Sequence, residues 1–482
     1  MICESLYERG NAYLPSILEI FKILIRSGLT VFDLVVKNGK IVTSDRVLTA
    51  SIWVRDGKIA AITEANVSFE AKAVINAKGN YVFPGAIDSH AHLNDPGYNW
   101  REDYAHGTAA AAVGGYTTIV DMPLQNEPAL TDGKIFDKKL AHVAPNAYVD
   151  YAFWGGLVDY NFDSLKELDE KGCVAFKSFI GPVSPDYVSL SIGQAKEAIE
   201  ILKTVDARAG FHCEDYSIIK WEEQRAKRKS QNDWQDFLNS RPLIAEIIAT
   251  KNIIDLARTL KAKVHICHVS HPDVAEIIRE AQLDGVDVTG ETCGHYLTFT
   301  DQDVLKNGSL FKCAPPLREA DAVEKMWEYV ENGTLSCIGS DHSPCELSEK
   351  SEEKYGIFGA WGGISSIQNT VQAVFSEGVV KRGYSPTLLA KALSEGPAKA
   401  FGIYGKKGAI KVGFDADLII IDENKDWEIT ADSLYYVNKI SAFVGLKGTG
   451  LPVCTLVRGQ VVAENGKLVG SKGFGLFVKK NK

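Results

Sequence analysis

Eight short apolar runs recur between residues 84 and 404, each followed by a stretch of helical character, and this alternation constrains the fold more than any other feature. The first run ends at His90; the others cover 116–122, 149–154, 173–179, 209–213, 263–269, 287–292 and 336–342. Helical patterns follow at 192–205, 242–260 and 272–282, among others. Runs this continuously apolar read as strands buried on both faces of a parallel sheet. Repeated βα units over such a length predict a closed, TIM-like β/α barrel rather than an open doubly wound sheet. No G-x-G-x-x-G follows the first run, which argues against a dinucleotide-binding fold.

The two ends of the chain have a different texture. Short strand-like runs punctuated by Gly, Asn and Asp fill 32–82, and the same pattern returns at 408–422 and 453–462. The two ends, 31–83 and 405–482, could pair into one small β domain flanking a barrel that spans 84–404. Residues 1–30 stand apart as an extension of unknown role. Positions 13–28 have the spacing of a short amphipathic helix, but Glu19, Lys22 and Arg26 make it too polar for a membrane span and a poor signal peptide.

Composition narrows the partners. The net charge is −9, with acids and bases interspersed, so nothing resembles the basic stripe of a nucleic-acid binder, and a small molecule is the expected partner. The nine cysteines are scattered singly, without a C-x-x-C pair, which argues against a disulfide framework and a thiolate zinc site and favours a reducing cytoplasm.

In a β/α barrel, functional side chains collect where strands end. Here those ends carry His90 and His92 (strand one), Lys177, His212, His268 and Asp341. His90 and His92, spaced i, i+2, share one strand face and form a chelating pair. Singly, each has an ordinary reading: a snorkelling or paired lysine, a hydrogen-bonded core histidine, an aspartate opening a turn. His265, three residues before His268, reads as structural. Four His, one Lys and one Asp at successive strand ends are much harder to explain as packing.

This ordered set resembles the cyclic-amide branch of the amidohydrolase superfamily, which comprises allantoinases, hydantoinases or dihydropyrimidinases, and dihydroorotases. The resemblance spans nearly the whole chain after about residue 30. It implies a β/α barrel beside a small β-sandwich built from both chain ends, 31–83 plus 405–482, with two divalent metal ions in the barrel, zinc foremost and cobalt, manganese or iron as alternatives. It assigns one ion to His90, His92 and Asp341 and the other to His212 and His268. Lys177 would be carboxylated by carbon dioxide to N6-carboxylysine and bridge both. A bare ammonium cannot ligate a cation, whereas a carbamate offers two anionic oxygens. Asp341 would take the proton of the attacking water and deliver it to the leaving nitrogen.

Local motifs separate the branches. Dihydroorotases carry Arg two residues after the second metal-binding His; here that position is Asn94, as in the allantoinase pattern H-x-N-E-P-G. Hydantoinases have Tyr five residues after the bridging Lys, and here Pro182 stands there. Thr117-Thr-Ile-Val-Asp-Met-Pro-Leu124, Phe153-Trp-Gly-Gly-Leu-Val158, Lys312-Cys-Ala-Pro-Pro-Leu-Arg318, Ser340-Asp-His-Ser-Pro-Cys345 and Trp361-Gly-Gly-Ile-Ser-Ser-Ile-Gln-Asn369 are similar to allantoinase motifs, as is Glu291-Thr-Cys-Gly-His-Tyr-Leu297 apart from Gly294, where Pro is usual. The resemblance adds Asn94 and the backbone near Ala314 and Gly363 as substrate contacts, and a homo-oligomer, often a tetramer. It implies hydrolysis of allantoin to allantoate; a hydantoinase is the alternative and a non-catalytic scaffold the remote one. One departure stands out. Where allantoinases read E-P-G-R-T-x-W-E-G, this chain has Asp95-Pro-Gly-Tyr-Asn-Trp-Arg-Glu-Asp103, with Tyr98 in place of Arg and the spacing shifted by one.

Overall fold

The computed structural model describes residues 31–183, 187–229 and 232–481; the expected N-terminal extension lies outside them. The chain opens with five strands, β1 (Val31–Val42), β2 (Val47–Arg55), β3 (Lys58–Glu64), β4 (Glu70–Asn76) and β5 (Tyr81–Pro84). Eight more form the barrel: β6 (Ala86–Ala91), β7 (Tyr116–Asp121), β8 (Asp150–Gly156), β9 (Ala175–Phe179), β10 (Ala209–His212), β11 (Val264–Ile266), β12 (Val288–Cys293) and β13 (Leu335–Gly339). They pair in parallel in chain order from β6 to β13. The last meets the first through a parallel bridge between Ala91 and His342, where His92 N donates to His342 O at 2.9 Å. All eight expected strands are present, each within a few residues of its expected bounds.

Helices cover the barrel: α1 (Tyr104–Gly114), α2 (Gly133–Val143), α3 (Leu165–Lys171), α4 (Ile192–Lys203), α5 (Tyr216–Ala226), α6 (Trp234–Ser240), α7 (Leu243–Leu260), α8 (Pro272–Leu283), α9 (Asp301–Asn307) and α10 (Ala320–Glu331). Their starts are written in the sequence. Ser191 and Gln194 form a reciprocal capping box on α4, and His271 caps α8 ahead of Pro272. Helix α10 buries Ala322, Val323, Met326, Trp327 and Val330, one stripe at helical spacing. Helix α1 has no such stripe, because Ala109–Ala112 are all buried: it lies between the barrel and the end sheet.

Strands β14 (Leu418–Glu428), β15 (Lys447–Val457), β16 (Gln460–Glu464) and β17 (Lys467–Leu468) join β1–β5 in one nine-stranded sheet. The seam is β5 against β14, so both chain ends build it, as expected. One face packs on itself through Leu34, Val36, Ile52, Val82, Leu418 and Leu456, while Ile419 and Ile421 face the barrel core. At this junction the buried Lys407 Nζ reaches Asp150 at 2.5 Å and Asp417 at 2.6 Å, and Arg458 also pairs with Asp150. Asp150 opens barrel strand β8, so a single ionic cluster ties the sheet to the barrel.

The floor of the barrel is apolar. Trp154 of β8 crosses it and donates Nε1 to Ser89 O at 3.0 Å. Gly210 on β10 leaves that space open: a Cβ there would fall 2.5 Å from the indole. Trp154 and Met122 both lie in one buried apolar cluster.

Candidate metal centre

The strand C-terminal ends bring the sequence-predicted side chains together above this floor. Asp341 Oδ1 lies 3.4 Å from His90 Nε2 and 3.3 Å from His92 Nε2, three groups that could hold one ion. His212 Nδ1 lies 3.1 Å from His268 Nε2. The His90 and His268 ring centres are 5.3 Å apart, so the two sets adjoin. Neither His268 nor Asp341 is within its strand. Both sit just beyond, with φ of 37° and 44°, in the left-handed region that costs a non-glycine residue on the order of 1 kcal/mol. Such conformations persist where the surroundings over-determine them.

Lys177 stands on β9 between Gly156 of β8 and Gly210 of β10 in register. It is wholly buried; its Nζ lies 4.9 Å from the Phe179 ring centre and makes no hydrogen bond among the described residues. A buried amine with no ion-pair partner among the described residues is a costly arrangement. Burial, reinforced by Lys177, lowers His90 and pushes His268 well below the usual imidazole range; burial lowers His212 too. Around Asp341 burial opposes ionisation, but His90 and His92 hold the carboxyl below its ordinary range. Imidazoles held below their usual range at His90, His212 and His268, an ionised Asp341 and a lysine without an ion pair among the described residues are a donor set that fits bound cations, with Lys177 as a carbamate.

Sequence reasoning missed the carboxylates behind these ligands. Glu291 on β12 holds His90 Nδ1 at 2.5 Å and accepts Ser89 Oγ at 2.6 Å. Burial works to raise its carboxyl, yet His90 and His265 hold it well below the usual range. Glu214 holds His212 Nε2 at 2.8 Å and is itself paired with Arg241. Each carboxylate fixes which nitrogen of its histidine faces the centre. The H-x-E spacing of His212 and Glu214 was the available signal; Glu291 lies in a quoted motif without an assigned role. His265, expected to be structural, is buried and bonded to Thr289 Oγ1 at 2.8 Å.

Around the mouth, Asn94 is buried with φ of 54°, its Nδ2 on His92 O and its Oδ1 without a partner among the described residues. Ala314 is half-buried in the segment between α9 and α10. Gly363 uses its N–H on Lys312 O and its C=O on Lys350 Nζ, and a Cβ there would meet Ser343 at 2.5 Å. The departing loop is also ordered around one side chain. Arg101 pairs with Glu349 through Nε at 2.9 Å, and its guanidinium stacks on Trp361 at 4.1 Å and on Tyr98 at 5.2 Å. Glu102 is buried behind it, 3.4 Å from His342 Nε2.

A closed β/α barrel whose strand ends converge imidazoles, a lysine and an aspartate defines a metal-dependent hydrolase. The sequence matches the amidohydrolase family over residues 81–462, and the chain belongs to that family, which is metal-dependent. It is 38% identical to the allantoinase of Rubrobacter xylanophilus over 94% of this chain and 98% of that protein. It is 36% identical to an allantoinase of Escherichia coli over 92% and 98%. Among solved structures it resembles the L-hydantoinase (dihydropyrimidinase) of Arthrobacter aurescens, with a TM-score of 0.91 at 34% identity, covering 93% of this chain and all of that one. The dihydropyrimidinase of Brevibacillus agri superposes with a TM-score of 0.86 at 29% identity, over 93% and 98% of the two chains.

Proposed function

We propose that this protein hydrolyses the hydantoin ring of allantoin to allantoate, as a step of ureide nitrogen breakdown. The observation that carries the reading is near-full-length identity of 36–38% to allantoinases in a chain whose six strand-end groups converge. In this reading His90, His92 and Asp341 would hold one divalent ion and His212 and His268 the other, with Lys177, as N6-carboxylysine, a ligand that would serve both. Zinc is the first choice, with cobalt, manganese or iron compatible with the same donors. When bound, the ions supply Lewis-acid activation of water and of the scissile carbonyl.

The chain's own groups do the rest. Asp341, kept ionised by its imidazole neighbours, accepts a proton from the attacking water and passes it to the ring nitrogen as the C–N bond breaks. Without that proton the leaving group would be an amide anion. Asn94 and the backbone near Ala314 and Gly363 hold the ring. Eight buried free cysteines among the described residues suit a reducing cytoplasm, and the enzyme works there as a homo-oligomer, a tetramer by family likeness. No helix among the described residues is long and apolar enough to cross a membrane.

The hydantoinase reading has its own support in the fold match to Arthrobacter aurescens L-hydantoinase. Against it, Pro182 occupies the position of the hydantoinase Tyr. The nearby Tyr187 is no replacement: its hydroxyl is buried and donates to Lys177 O at 2.6 Å. A panel of allantoin, hydantoin, dihydrouracil and dihydroorotate, run with metal analysis on the same sample, tests the choice. Fastest turnover of allantoin is expected; faster turnover of dihydrouracil overturns the reading.

A further inference from the structure

One buried histidine in the barrel mouth has no task in the mechanism above. Nine of the ten histidines have at least one ring nitrogen in a hydrogen bond or ion pair. His295 alone has neither nitrogen partnered among the described residues, although it is 1% exposed. A ring nitrogen of His295, a carboxylate oxygen of Asp341 and the Cys293 sulfur all lie within 4.8 Å of one another. Two unmet hydrogen-bonding positions on a buried ring are unusual and call for a partner.

The backbone fixes this ring in place. Tyr296 N donates to Cys293 O at 3.0 Å, and Phe299 N donates to His295 O at 2.9 Å. The Tyr296 hydroxyl donates to Pro315 O at 2.6 Å, tying the turn to the Ala314 loop. Gly294 donates its N–H to Gly339 O at 3.3 Å, a bond proline could not make. Thus the turn is held from both sides, and the side chain it presents is preorganised.

We infer that His295 is a substrate-binding residue that hydrogen-bonds the reacting ring next to Asp341. A neutral imidazole carries one donor and one acceptor. A cyclic amide presents the complementary pair, a carbonyl and an N–H. Because His295 lies beside the group that protonates the leaving nitrogen, its contact is with the ring and not with the exocyclic ureido arm of allantoin. The inference rests on the proposed function, so its test reads both.

The test compares the parent enzyme, H295A and H295Q on allantoin and on unsubstituted hydantoin, with metal content measured on each preparation. Two metals per chain should be retained in both variants. For H295A, kcat/KM should fall by about 10- to 100-fold on both substrates alike, the loss expected when buried polar partners are left unpaired. Glutamine keeps a donor and an acceptor, so H295Q should recover most of the activity; it also carries the test if H295A fails to fold. Parental kcat/KM in both variants, loss confined to allantoin, or loss of metal would each overturn the assignment. A parent enzyme inactive on both substrates overturns the proposed function and this contact with it, whereas an active parent with unaffected variants overturns the contact alone.

Discussion

His90 Nδ1 and Glu291 Oε1 lie 2.5 Å apart, both buried, so the nitrogen that faces Asp341 is Nε2. An outer carboxylate of this kind orients its histidine and raises its basicity as a ligand. Glu291→Gln should keep the fold but weaken metal retention about 10- to 100-fold in a chelator competition. Unchanged retention would remove Glu291 from the account.

The Lys177→Ala variant should lose both ions together, because a bridging ligand belongs to both halves of the centre. Metal analysis by mass spectrometry reads this directly. A variant that keeps two ions per chain refutes the bridging role, and one that keeps a single ion restricts Lys177 to the other half.

Acid should destabilise the metal-free protein. Burial pushes His295 down to about 4 and His342 down to about 3, against an unfolded value near 6.5. Between those values the unfolded chain binds more protons than the folded one, so stability is intact above pH 6.5 and is lost as pH falls. The share of His295 alone comes to on the order of 3 kcal/mol by pH 4. Thermal melts of chelated protein should show Tm dropping steadily below pH 6.5; a flat profile would contradict the neutral, buried rings.

Arg101 anchors the loop that follows Asn94, clasped between Tyr98, Trp361 and Glu349. Arg101→Ala should cost about 1–2 kcal/mol of stability through lost stacking and pairing. It should raise KM for allantoin several-fold with kcat and metal content retained, the pattern of lost uniform binding. A fall in kcat with unchanged KM would instead place this loop in the chemistry.

Much of the architecture was legible in the strand runs, because a strand buried on both faces leaves a continuous apolar signal. The β ends were legible from their turn residues, and their pairing into one sheet across β5 and β14 followed from their likeness. The six strand-end groups could be ordered in advance. Two of them, His268 and Asp341, reach the centre only through left-handed backbone beyond the strand, which no periodicity encodes. Glu291 and Glu214 stayed hidden for another reason. A carboxylate that serves by holding a histidine looks in sequence like any other acid, and only the register of β12 against its neighbours brings Glu291 beneath His90. The Tyr98 departure pointed to a changed mouth, but the stack of Arg101 on Trp361 joins residues 260 positions apart, beyond local inference.

The most direct test of the central claim is reconstitution. Protein stripped by chelation should be inactive on allantoin. Activity should return in step with metal up to two divalent ions per chain, and faster with bicarbonate present to carboxylate Lys177. Full activity in the stripped protein, or saturation at one ion with no response to bicarbonate, would contradict a bridged two-ion centre.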